Sequence, residues 1–228
     1  QILEKKKQSR NLIIAKVLLV SVPNEVIHQY KNIASILNLD LVALEAEAFC
    51  LARALTTKDE PYPISIVDIG QKSTICSIIE KGVLRASHSF DISADDLIEK
   101  LLEKFELDYP TAQEFLKRYG ILTKYLGPEG EEAERALIPV VESLAKEIDN
   151  FFEKFYSEEK KEIGKIILSG ASAIMPGLLT YFENYFKKRV EIANPFSKIS
   201  YPPILEGVLK EIGPSFAVAI GTALRGFE

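Results

Sequence analysis

The sequence predicts an α/β fold, and three observations carry that prediction. Residues 64–90 read as a buried strand, a tight polar turn, a second strand, a hairpin at Lys81-Gly82 and a third, alternating strand. Residues 165–168 form another buried strand that runs into the small-residue loop Ser169-Gly170-Ala171-Ser172-Ala173. Segments with helical periodicity lie before, between and after these strands.

In chain order, residues 12–22 are strand-like and rich in β-branched side chains. Pro23 stops that strand, and Asn24 is the expected cap of a helix over 25–37. A short strand is expected over 39–44, and a helix over 45–56. The polar, proline-bearing stretch 57–63 marks a hinge or domain boundary. After the strand–turn–strand unit comes an amphipathic helix over 94–105, with Asp95 and Asp96 at its positive end. Thr111 and Glu114 fit a capping box for a short helix ending at Gly120. The longest helix is expected over 131–156, kinked or begun by Pro139. A helix over 177–186, a strand over 190–192, a turn at Asn194-Pro195-Phe196 and a helix opened by Pro214 complete the chain. Paired aromatics at 151, 152, 155, 156, 181, 182, 185 and 186 fall at helical spacing and belong to a core.

Composition bounds the function. The chain has 228 residues, 47% hydrophobic and 27% charged, with a net charge of −5. That balance argues against a sequence-independent nucleic-acid binder. The basic run Lys5-Lys6-Lys7 with Arg10 reads as a solvated terminus. Cys50 and Cys76 lie in apolar runs and read as buried free thiols of a cytosolic protein. No apolar run approaches the roughly 20 residues of a membrane span. The start at Gln1, without Met, fits a fragment with a segment missing before it.

Chemistry concentrates in two loops that follow buried strands. In Asp68-Ile69-Gly70-Gln71-Lys72-Ser73-Thr74, Gly70 permits a close backbone approach, and the turn amides can face an anion. Ser73 and Thr74 offer hydroxyls, and Asp68 at the strand end can hold a hydrated Mg²⁺. The other loop is Gly170-Ala171-Ser172-Ala173. In open α/β sheets ligands bind outside the carboxyl ends of strands, so two such loops can grip opposite ends of a nucleotide. The plain alternative is a hairpin whose Asp and Gly only shape a turn. His28 and His88 are isolated, and no nucleophile–base spacing is evident.

Seven segments together resemble one family. They are LLVSVPNEVIHQY at 18–30, LVALEAEAFCLARAL at 41–55, VDIGQKST at 67–74, EKGVLRASHSFDISADDL at 80–97, ILSGASAIMPGL at 167–178, VEIANPF at 190–196 and FAVAIGTALRG at 216–226. In this order they resemble the PilM-like type IV pilus assembly proteins, members of the actin-like ATPase superfamily related to FtsA.

The resemblance implies an actin-like ATPase fold with ribonuclease-H-like lobes, in a fragment lacking the N-terminal part of the first lobe. Residues 1–58 would be the remainder of that lobe, including its inserted small subdomain. Residues 59–228 would be the second lobe, with a helical subdomain around 107–160. It implies ATP and Mg²⁺ as cofactors. Asp68 would lie near the metal, Gly70, Lys72, Ser73 and Thr74 near the phosphates, and Gly170, Ala171 and Ser172 under base and ribose. Glu45 would orient an attacking water. The implied function is a cytoplasmic scaffold, at most a weak ATPase, held at the inner membrane without entering it. Its partners would be the cytoplasmic tail of a PilN-like membrane protein and other pilus platform proteins.

The sequence departs from the family pattern at several places. Nothing before residue 44 resembles the first phosphate loop. Ala171 stands where the family has a second glycine, and Ser93-Ala94 where it has Gly-Gly. The long helix lacks the Arg-Ser pair that faces adenine. These departures bear on nucleotide binding more than on the fold. Two alternative readings are an active ATPase or sugar-kinase-type phosphotransferase of the same superfold, and an FtsA-like cell-division protein, which needs a C-terminal membrane helix.

Overall fold

The computed structural model describes residues 2–9 and 12–227, which form two compact units, 1–46 and 47–228. The division falls ahead of the hinge expected over 57–63. The helix after residue 46 goes with the larger unit because it packs against that unit's last helix.

In the smaller unit, strands β1 (Ile2–Ser9) and β2 (Leu12–Val17) pair antiparallel, with irregularities at both ends of the ladder. Lys5, Lys6 and Lys7, expected in a solvated terminus, lie within β1; Gln1 and Arg10 lie outside the described residues. Helix α1 (Asn24–Ile36) follows, capped by Pro23 and not by Asn24, which is its first helical residue. It buries none of its residues. The strand expected over 39–44 is irregular chain, because a strand persists only where a neighbour completes its ladder.

The larger unit is built on a five-stranded sheet in the order β5-β4-β3-β6-β7. Strands β3 (Ile64–Ile69), β4 (Thr74–Glu80) and β5 (Val83–Phe90) form an antiparallel meander. Strands β6 (Lys165–Ser169) and β7 (Arg189–Ile192) add to β3 in parallel. β3 and β6 are buried along almost their whole length because both faces of the sheet are covered. Their register sets Asp68 beside Ser169.

Helix α2 (Glu47–Leu55) precedes the sheet. Helices α3 (Ala94–Phe105), α4 (Tyr109–Tyr119) and α5 (Pro128–Glu159) fill the stretch between β5 and β6. Helix α6 (Leu178–Phe186) connects β6 to β7, and α7 (Glu206–Leu224) ends the unit. The core gathers Val67, Ile78, Leu101, Leu137, Ile148, Ile166, Leu168 and Phe182, all fully or almost fully buried. Each such side chain contributes about 1.5–3 kcal/mol through its burial.

Several local expectations change for physical reasons. The capping box forms at Ser93 and Asp96, whose carboxylate accepts from the Ser93 amide at 2.8 Å and hydroxyl at 2.7 Å. At α4 the cap is Asp108, which accepts from the Thr111 amide at 2.9 Å, so Thr111 is a donor inside the first turn. Helix α5 begins at Pro128, after Gly127 at φ +84°, and carries Pro139 within its length. Helix α7 likewise begins before Pro214, which lies inside it. Of the paired aromatics, Phe152, Phe155, Phe182 and Phe186 are buried, whereas Tyr156 and Tyr185 are exposed.

Cys50 and Cys76 are buried thiols outside any disulfide among the described residues, and Cys50 Sγ accepts from the Thr222 hydroxyl at 3.3 Å. Burial pushes the Cys76 thiol up to about 12, which removes it from thiolate chemistry.

Candidate functional site

The β3–β4 turn is clamped by the start of α3. The Ala94 amide donates to the Gly70 carbonyl at 3.1 Å, and the Asp95 amide to the Gln71 carbonyl at 3.0 Å. Two of the orphan donors of a helix N-terminus are thereby satisfied by the turn. A trans peptide is planar, so each carbonyl points opposite the amide bonded to it. Drawing the carbonyls of Gly70 and Gln71 toward α3 therefore turns the amides of Gln71 and Lys72 away from it. Neither amide has an acceptor among the described residues. Two outward amides side by side make a seat for an anion oxygen. Exposed Lys72 and half-buried Ser73 flank that seat.

Gly70 is required here. A β-carbon on it would come within 2.8 Å of the Ser73 carbonyl oxygen, which accepts from the Gly70 amide at 3.0 Å. Side chains add a second restraint. Gln71 donates through Nε2 to the Tyr109 hydroxyl at 2.9 Å, which donates to Asp95 Oδ1 at 2.7 Å. That bond to a carboxylate raises the Tyr109 hydroxyl above its ordinary range.

Thr74 does not face this seat. It is fully buried, and its hydroxyl donates to the Ile92 carbonyl at 2.6 Å. This hydroxyl makes a structural bond that joins β4 to the approach of α3. The β4 strand starts at this residue, and its alternation turns the side chain inward.

Asp68, next to last in β3, is half-buried, and burial raises its carboxyl above the ordinary range. A hydrogen bond from Ser169 opposes the shift, and the nearby charge of Glu47 adds to it. Two carboxylates are thus brought near one another at the carboxyl ends of β3 and β6. A carboxylate held so is suited to a hydrated Mg²⁺ that also takes phosphate oxygens. Among the described residues no group of three or more His, Cys, Asp or Glu side chains forms a metal cage.

The β6 loop meets the same corner of the sheet. Gly170, at φ +89°, donates its amide to the Pro214 carbonyl at 3.0 Å, and the Ser169 hydroxyl donates to the same oxygen at 3.3 Å. The loop is thereby tied to the middle of α7. Ala171, Ser172 and Ala173 lie in a short 3-10 turn, where Ala171 has an ordinary backbone conformation and is exposed. The β-carbon that replaces a family glycine therefore does not strain the loop. Ser172 lines a small cavity of about 10 Å³ between this loop, α3 and α5.

The structure thus brings Asp68, Gly70, Lys72, Ser73, Gly170, Ala171 and Ser172 to one corner of the larger unit. Glu45 lies in the smaller unit, half-buried, just ahead of α2. Gln71, Tyr109, Asp95, Glu47 and Pro214 escape the sequence reading. Glu47 had a visible signal, a second acid beside Glu45 at a helix start. The others act through contacts between distant segments, which no local pattern announces.

With this geometry in hand, comparisons with known proteins are informative. A family profile described as "Type IV pilus assembly protein PilM" matches residues 3–227. No curated protein matches the chain. Among solved structures, one described as a PilM-PilN type IV pilus biogenesis complex superposes with TM-score 0.77 at 25% identity, covering 90% of this chain and 59% of that one. The ethanolamine utilization protein EutJ from Carboxydothermus hydrogenoformans gives TM-score 0.65 at 20% identity, covering 90% and 62%. MreB5 of Spiroplasma citri bound to AMPPNP gives 0.63 at 19%, covering 89% and 64%. The fold is that of the actin-like ATPases, and the chain spans between 59% and 64% of the length of these structures. No helix of the described residues is long and apolar enough to cross a membrane.

Proposed function

The chain belongs to the family of the type IV pilus assembly protein PilM, and on that premise we propose that it is a nucleotide-gated scaffold of the pilus assembly platform. It works in the cytoplasm, against the inner membrane, and takes the cytoplasmic tail of a PilN-like membrane protein. The likeness to a PilM-PilN complex supports the partner. The partner brings it to the membrane, together with other platform proteins. ATP with Mg²⁺ serves as a conformational ligand that favours one arrangement of the lobes over another.

One observation carries the nucleotide part of this reading. The first amides of α3 hold the β3–β4 turn so that the amides of Gln71 and Lys72 stand outward, without acceptors among the described residues. These amides and the Lys72 ammonium would hold phosphate oxygens, with Gly70 and Ser73 shaping the turn. Asp68 would hold the hydrated metal, whose charge offsets that of the phosphates. Gly170, Ala171 and Ser172 would support the ribose and base end. Glu45 is the candidate to orient a water for slow hydrolysis. The corresponding division of the chain places 59–228 in the second lobe and 1–58 in the first.

The test is calorimetric titration of Mg-ATP into the full-length protein, followed by titration of a PilN-like tail peptide with and without nucleotide. Saturable ATP binding that Asp68→Ala removes, with a tail affinity that nucleotide changes, is the expected result. Tail binding indifferent to nucleotide, or no ATP binding at millimolar concentration by a folded protein, overturns the gating.

A further inference from the structure

We propose that Tyr109 is a positioning residue of the phosphate seat: through Gln71 and Asp95 it holds the Gln71–Lys72 peptide with its amide outward. The inference rests on the nucleotide reading above and goes beyond it in naming what orients the seat.

Three bonds close a circuit. Gln71 Nε2 donates to the Tyr109 hydroxyl at 2.9 Å, and that hydroxyl donates to Asp95 Oδ1 at 2.7 Å. The Asp95 amide then donates to the Gln71 carbonyl at 3.0 Å. Each residue gives one hydrogen bond and takes one, so the bonds run in one sense and polarise one another. The bond from Tyr109 is charge-assisted, because its acceptor is a carboxylate. The rise in the Tyr109 hydroxyl has that bond as its main cause.

The circuit acts on one peptide plane. The Gln71 carbonyl and the Lys72 amide belong to the same planar unit and point in opposite directions. Rotating that unit would turn the carbonyl outward and the amide inward, so an acceptor would replace a donor at the seat. The Asp95 amide holds the carbonyl by a single bond. Tyr109 holds the Gln71 side chain as well, so the residue that carries the carbonyl is gripped from two sides. The Lys72 amide then stays outward, where it has no acceptor among the described residues.

Tyr109 is a firm support for this task. It opens α4, where Asp108 accepts from the Thr111 amide at 2.9 Å and Pro110 fixes the backbone of the first turn. Ala112 and Leu116 anchor α4 in the core. The bond from Gln71 spans 38 residues of chain, so the geometry of the seat depends on where α4 sits.

The test is calorimetric titration of Mg-ATP into the full-length protein and three variants, Tyr109→Phe, Gln71→Ala and the double variant, each also unfolded in denaturant. Tyr109→Phe keeps the aromatic side chain and removes only a solvent-facing hydroxyl. It should bind Mg-ATP about three- to tenfold more weakly, with its unfolding midpoint at the parent's value. Gln71→Ala should show a similar loss, and the double variant no more than either alone, since the circuit opens only once. Unchanged affinity in Tyr109→Phe overturns the positioning role and leaves the nucleotide reading intact. Losses that add in the double variant overturn it too, because each side chain would then meet the ligand separately. A loss that follows a lowered unfolding midpoint makes Tyr109 a residue of the fold and not of the seat. No binding of Mg-ATP by the folded parent overturns both readings.

Discussion

Gly170 packs against the backbone of Ile69 so closely that a β-carbon on it would lie 2.4 Å from the Ile69 carbonyl oxygen. The β6 loop and the β3 strand end are thus in direct backbone contact. Gly170 also adopts φ +89°, which a side chain disfavours. Gly170→Ala should therefore destabilise the fold by about 2–4 kcal/mol, through both clash and backbone strain. Denaturant unfolding of the two proteins measures this. A loss below about 0.5 kcal/mol would mean that the loop yields freely.

Thr74 and Ile92 make a second backbone-anchored link. Thr74→Val keeps the shape, removes the donor and leaves the half-buried Ile92 carbonyl without this partner, which should lower stability by about 1–2 kcal/mol. Nucleotide affinity should change little, because this hydroxyl faces away from the turn amides. Paired measurement of unfolding and of Mg-ATP binding separates the two roles. Loss of binding at unchanged stability would restore Thr74 to the phosphate site.

How far the sequence disclosed this arrangement depends on the range of the forces involved. The β3–β4–β5 meander, β6, α3 and α6 are legible because burial and periodicity act within a few residues. The pairing of Lys5–Lys7 in β1 was hidden, since three consecutive lysines look solvated until β2 supplies a ladder. Pro214 reads locally as a helix start. It sits inside α7, where its carbonyl takes the Gly170 amide and Ser169 hydroxyl from across the fold. At the site, Asp68 and Gly70 stood out because a strand end followed by glycine has few local explanations. Thr74 misled for the same reason: a hydroxyl beside a turn looks available, and only the tertiary partner Ile92 shows that it is used.

Lys72 is exposed, so its removal should leave stability within about 0.5 kcal/mol. Its ammonium is a mobile charge near the two outward amides. Lys72→Ala should weaken Mg-ATP binding by about tenfold at low ionic strength, and by less as salt rises, because an exposed charge is screened. Titrations at low and at high salt test this directly. Equal affinities of parent and variant at low salt would remove Lys72 from the site.

Asp68 sets stability against binding. Its folded-state carboxyl is raised, chiefly by burial and further by Glu47, so the folded protein holds this proton to higher pH than the unfolded chain does. Between those two values the folded state binds more protons, and stability contributed by this group is lost as pH rises through the window. Above the folded value the loss is complete and constant. Asp68→Asn cannot ionise, so its advantage over the parent should be absent near pH 3, grow above the ordinary carboxylate value of about 4, and level off above the raised folded-state value. The same change removes the metal-holding charge, so Mg-ATP affinity should fall even as the fold gains stability. Unfolding across pH together with Mg-ATP titration tests both halves at once. A variant that is less stable at neutral pH than the parent would show that the Ser169 hydrogen bond outweighs desolvation, and that the carboxylate is there to hold the sheet corner together.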